Sequence, residues 1–282
     1  MKTFARKWLL PPGINQLLTD APPSVKRLWG GQSSRPKFDR LNPSRQRAAS
    51  LTDLLVAPYA EIVWVDTDKI CRSGRAFTWQ QNQHVRYFKD GFESYRRFFE
   101  LHQPRNQFEE LMLDDSKVGY FAPVRFPRNR KPWSFEKEYL GEDHLGASHG
   151  TQDHGPVSEK KLAWEKKRLD TIRASVGKRG FAKVNYYDFI RFGEILVDDS
   201  DPNQLQYRVC VDAGIHRVSL LSHLGWPLIP MMPDFTRKWR EVRLSDRPRW
   251  PGVLDGTFSP GAATAYFLAH FRDPAEELLP GW

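Results

Sequence analysis

The sequence predicts an α+β protein, and three stretches carry that reading. In Tyr207–Pro230, YRVCVDAGIHRVSLLSHLGWPLIP, the β-prone run Val209, Cys210, Val211 gives way to a turn, Asp212-Ala213-Gly214. Helical spacing follows from Ile215, placing Val218, Leu221 and Leu224 toward a core, with Gly225 at the stop. A second strand, Leu228–Met232, closes the unit. In Glu159–Val176, Leu162, Leu169, Ile172 and Val176 share one helical face, Lys160, Lys167 and Arg168 take the other, and Gly177 ends the helix. In Val85–Leu113, Tyr95, Phe98, Phe99, Phe108 and Leu111 recur at helical core spacing, and Pro104 is expected to split the run into two helices.

In chain order, residues 1–50 form a basic, proline-containing arm with ten Lys/Arg against Asp20 and Asp39. Its apolar run Trp8-Leu9-Leu10 is too short for a signal core or a membrane span. Two readings stay open: a loosely packed arm, or a contact with an anionic membrane surface. The expected location is cytoplasmic, or peripheral at the inner face of the membrane. Residues 51–135 read as a mainly helical region, with a short helix after Thr52 and a strand at Ile62–Val65. There His84, Arg86, Tyr87, Arg96 and Arg97 fit ordinary hairpin packing, or an aromatic-basic nucleic-acid surface. Val118–Trp133 is a proline- and arginine-rich connector. Residues 136–235 form the next domain, and 236–282 an extension packing on it. Trp239 and Trp250 are packing or lid residues. The extension's helix has Ser259 as N-cap, Pro260 at its first position and Phe267, Leu268 and Phe271 inward.

Composition narrows the class. Hydrophobic residues make up 40% and include ten Trp and eighteen Phe, enough for a core without staples. Two cysteines, Cys71 and Cys210, give neither a disulfide framework nor zinc spacing, and Cys210 reads as inert packing. The net charge of +9 lies entirely in residues 1–140, which carry 24 Lys/Arg against 15 Asp/Glu. The neutral second half weakens a duplex-DNA role for the glycine-turn unit.

Chemistry concentrates in two places. A strand, a glycine turn and a helix leave free N–H groups and a positive dipole end, which suit phosphate, and His216 and Arg217 occupy that first turn. The alternative is a plain corner with both side chains on the surface. Upstream, Tyr139–Ser158 holds His144, His149 and His154 five residues apart, with Asp143, Asp153 and four glycines. That spacing is not a helical metal pair. The loop is open to three readings: part of an active site, a structural loop, or a metal site. Ser158 is positioned to cap the helix that follows.

Asp212-Ala213-Gly214-Ile215-His216-Arg217, then an apolar helix, Leu-Gly-Trp and a strand ending Ile-Pro, resembles the signature segment of the ParB/sulfiredoxin-like superfamily. The helix end at Arg168–Phe181 is similar to that superfamily's as well, and the resemblance covers roughly residues 157–232. It implies a small mixed sheet with helices and a Gly-x-His-Arg turn that holds nucleotide phosphates. Ile215 stands where sulfiredoxin carries its reactive cysteine, so that chemistry is not expected.

The resemblance implies a nucleotide-dependent enzyme, most simply a phosphotransferase. Asp212, Gly214, Ile215, His216, Arg217 and Ser158 would bind a nucleotide, ATP or ADP first and CTP second. Asp212 or Glu194 would hold Mg²⁺, while His154, Asp153, Glu194 and His216 would act in catalysis. The WLLPP opening resembles the N-termini of some enzymes of cell-surface polysaccharide assembly, so a sugar or polysaccharide precursor is the expected acceptor. The alternatives are a ParB-like DNA binder, for which no helix-turn-helix follows the segment, and a non-catalytic member.

Overall fold

The structure is a computed structural model, described for residues 46–58, 61–72, 82–103, 145, 149–150, 152–179, 190–234, 241–254, 256 and 258–271. All of these lie within the unit Arg40–Trp282. The arm at 1–45, Phe108, Leu111, the 118–133 connector, His144 and Trp239 lie outside the described residues.

Helices pack on a six-stranded mixed sheet. Strands β3 (Arg191–Asp198) and β4 (Gln206–Ala213) pair antiparallel at its centre. Strand β2 (Ile70–Arg72) lies parallel beside β4. The other edge of β3 is shared: β5 (Leu228–Pro233) pairs with its start and β6 (Glu241–Arg243) with its end, both parallel. Strand β1 (Val63–Asp66) runs antiparallel to β5. Strands β1 and β2, from the stretch read as mainly helical, belong to this same sheet.

Alternation along the strands divides the apolar residues between two faces. Ile70, Ile195, Val197, Val209 and Val211 pack with Leu54 of helix α1 (Leu51–Val56). Numbering the next helices in chain order, α2 spans Gln83–Asp90, α3 Phe92–Leu101, α4 Glu159–Arg179 and α5 Ile215–His223. Val218 and Leu221 of α5 complete that face. On the opposite face Cys71, Leu196, Cys210 and Val242 meet Trp250, Phe258, Tyr266 and Phe267. The last two belong to the terminal helix Pro260–Ala269, whose N-cap Ser259 accepts from the Ala262 N–H. Cys71 and Cys210 are register partners with free thiols 3.4 Å apart. A third cluster holds the aromatic faces of α2 and α3 (Tyr87, Phe88, Tyr95, Phe98, Phe99) against Leu162 and Leu169 of α4 and Leu220 of α5.

Several elements differ from expectation. The aromatic stretch breaks at Gly91, with φ 90°, rather than first at Pro104. Helix α4 runs past Gly177 to Arg179, since Gly177 does not take the left-handed conformation of a helix stop. Leu224 is 52% exposed: it is the C-cap residue of α5, already turned off the buried face. Beyond it the Gly225 N–H bonds Ser222 O and the Trp226 N–H bonds Leu221 O, closing a Schellman stop.

Gly214, between β4 and α5, has φ 88°. A Cβ there would lie 2.9 Å from the Ile190 Cα, which is backbone and cannot rotate away. Both conformation and space demand glycine. Gly214→Ala should therefore cost about 1–3 kcal/mol, read as a lowered melting temperature with unchanged secondary structure.

Candidate functional site

The start of α5 lies over a buried ionic cluster assembled from four other segments. His216, in the first turn, is 3% exposed, and its Nε2 is 2.8 Å from Glu165 Oε2 on α4. Lys161 Nζ, one helical turn earlier, stands 3.1 Å from Glu165 Oε1. Side chains of both α4 residues are at most 2% exposed. The Arg168 guanidinium reaches 4.0 Å from the same oxygen from the rim of the cluster.

Strand β2 contributes Arg72, whose guanidinium pairs with the Asp153 carboxylate, both buried. The loop bearing Asp153 is docked between α2 and α3. Gln83 Nε2 donates to Gln152 O at 2.8 Å, and the Gly155 N–H donates to His102 O at 2.8 Å. A side chain at Gly155 would collide with Phe99 O, so glycine permits this approach. His154, buried in that loop, has its Nδ1 2.8 Å from Gly155 O.

The N-terminus of α2 meets the first turn of α5. Asn82 Oδ1 accepts from the His84 N–H at 2.9 Å and from Ser219 Oγ at 3.4 Å. His84 is fully buried, its ring centroid 4.4 Å from that of His216 and 5.6 Å from that of Tyr95. Neither ring nitrogen of His84 has a hydrogen-bond partner, nor has Tyr95 Oη.

Among the described residues the cluster thus holds the cations Arg72, Lys161 and Arg168 and the carboxylates Asp153 and Glu165. Burial, then Arg168 and Arg72, hold His216 well below its ordinary protonation range even beside Glu165. Burial, then His216, does the same to His84. Both rings are neutral near pH 7. A carboxylate only accepts, so His216 donates its Nε2–H to Glu165 and keeps its lone pair on Nδ1. A carboxylate-oriented neutral imidazole is the arrangement of a general base.

Several other candidate residues fall elsewhere. Gly214, Ile215 and Arg217 share the turn with His216, but Ile215 is buried in the sheet core. Glu194 is the register partner of Cys210, and Asp212 lies two residues beyond Cys210 on β4. The β3–β4 register shifts at both: Asp212 lies between Val211 and Ala213, which pair with the consecutive residues Phe192 and Arg191, and Glu194 follows the second shift. Ser158 is a structural cap: its Oγ accepts from the Lys161 N–H at 3.1 Å and lies 2.8 Å from His149 Nδ1. Among the described residues no group of three or more His, Cys, Asp or Glu could hold a metal ion.

His84 entered only as hairpin packing or an aromatic-basic nucleic-acid surface, and sequence reasoning missed Arg72, Lys161 and Glu165. Only the last two left a signal: Lys161, Glu165 and Leu169 lie four residues apart on the stripe assigned to the core.

Glu165→Leu would remove a counter-charge from buried Lys161 and the acceptor of His216, and should cost about 3–5 kcal/mol in urea denaturation. Adding Lys161→Met should recover much of that loss. The buried histidines set a pH dependence. His84, His216 and His270, the last held near about 4 by burial, protonate in the unfolded chain around 6.5 but resist protonation in the fold. Unfolding therefore takes up protons below pH 6.5, and stability is full above that value. It should fall on acidification by about 1.4 kcal/mol per pH unit for each histidine, read as urea midpoints between pH 7.5 and 5.

Comparison of the chain with models of protein families, with curated proteins and with solved structures finds no match.

Proposed function

We propose that the protein is a nucleotide-dependent enzyme, most simply a phosphotransferase with a ParB/sulfiredoxin-like sheet. The observation that carries this is the buried Glu165–His216 pair placed directly at a helix start, with Lys161 and Arg168 beside the carboxylate. The amides of Ile215 and His216 are first-turn donors without intrahelical acceptors, whereas those of Arg217 and Val218 bond Gly214 O. Phosphoryl oxygens would sit on those first amides, with Arg217 adding charge. His216 would take the acceptor's proton on Nδ1 while Glu165 holds the ring and Lys161 balances Glu165. Arg72, braced by Asp153, and Arg168 would offset the negative charge that develops on transfer.

ATP or ADP is the first choice of nucleotide and CTP the second. A sugar or surface-polysaccharide precursor is the acceptor suggested by the N-terminal WLLPP likeness. An anionic membrane partner for residues 1–50 belongs to the same reading. Among the described residues no helix is long and apolar enough to cross a membrane.

Calorimetric titration of ATP, ADP and CTP tests this. Arg217→Ala should weaken binding about ten- to a hundredfold, the worth of one charge-assisted hydrogen bond. His216→Asn should retain binding and lose about 10²–10⁴-fold in turnover. CTP binding that requires DNA and falls steeply with salt would point instead to a ParB-like DNA binder. No nucleotide binding would leave a non-catalytic member.

A further inference from the structure

The base proposed above acts on a hydroxyl, and the structure holds three polar atoms that could receive one. They are Nδ1 and Nε2 of His84 and Oη of Tyr95, all buried and all without a hydrogen-bond partner. A buried polar atom left unpaired costs about 1–3 kcal/mol, and native folds rarely keep one. Here the His84 ring lies between the two others, its centroid 4.4 Å from that of His216 and 5.6 Å from that of Tyr95. Phenylalanine at position 95 would fill the same aromatic cluster without that cost.

We propose that His84 and Tyr95 form the acceptor subsite, holding an uncharged hydroxyl next to His216. This rests on the reading of the chain as a phosphotransferase. The chemistry of the donor set selects the ligand. A neutral imidazole offers one N–H and one lone pair, and a phenol offers an O–H that also accepts. That set matches an alcohol or a water molecule. Phosphate would go to the cations and the helix start instead. Burial keeps the Tyr95 hydroxyl protonated and His84 neutral, in the presence of His216 from α5, Glu165 and Arg168 from α4 and Arg72 from β2.

In the transfer itself, the held hydroxyl oxygen would form a bond to the γ-phosphorus. Its proton would pass to His216 Nδ1, and the bond from that phosphorus to the bridging oxygen would break. The electron pair leaves with the nucleoside diphosphate, and the histidine later returns its proton to solvent.

Tyr95→Phe and His84→Leu in the full chain test the subsite, with water and glycerol as acceptor probes. Tyr95→Phe should melt at or above the parent, keep ATP affinity within about twofold, and lower turnover to either acceptor at least about tenfold. It should also raise KM for glycerol without raising KM for ATP. Loss from glycerol transfer alone assigns the subsite to an alcohol, and loss from hydrolysis alone assigns it to water. Unchanged turnover in both variants, or loss of ATP affinity in Tyr95→Phe, overturns the subsite while leaving nucleotide binding intact in the parent. A parent that binds no nucleotide removes the phosphotransferase reading and the subsite with it. Nitrogen-15 spectra of the His84 ring give a readout without turnover: glycerol should shift its resonances, and unmoved resonances overturn the proposal.

Discussion

Removing the Glu165 carboxylate from water is costly, and the structure tolerates it only because Lys161 and His216 close on its two oxygens from different helices. The pair Lys161–Glu165 lies within α4, one turn apart, so it forms wherever that helix forms. The His216 contact is different in kind. It spans 51 residues of sequence and fixes how α4 is set against α5. Once made, it also decides the chemistry, since the carboxylate selects the His216 tautomer and keeps the ring from turning. The same desolvation that makes the cluster expensive keeps the imidazole neutral and therefore able to accept a proton.

That contact depends on where α5 begins. Gly214 lets the chain turn within reach of the Ile190 backbone, so the first turn of α5 starts at the end of β4. Val218 and Leu221 then bury against the sheet, and His216 is carried to the side facing α4 and α2. Arg72 arrives at the same sheet end because β2 runs parallel to β4, with Arg72 opposite Val211. The parallel pair β2 and β4 thus delivers a cation and a helix start to one end of the sheet.

Register also separates groups that are close in sequence. Cys71 and Cys210, paired in register, take the face where the terminal helix packs. Val211 and Arg72 take the other face, with the ionic cluster. Consecutive residues of one strand therefore serve different environments.

The local elements were legible in the residues themselves. Strands at Val209–Val211 and Leu228–Met232, the helix after Gly214, the capped helix from Glu159 and the closing helix after Ser259 all follow from periodicity, turn glycines and side-chain caps. These depend on neighbours a few residues away, which a sequence records directly. Strand β2 was not legible, since three residues show no period and its stability comes from pairing with β4. Nor was the site legible as a set. His84, Arg72 and Glu165 are ordinary members of a helix start, a strand end and a helix stripe until packing removes them from water. Sequence alone decided where α5 starts and that a histidine occupies its first turn; tertiary structure alone decided that this histidine meets a carboxylate, because desolvation and long-range contact exist only once the chain has closed on itself.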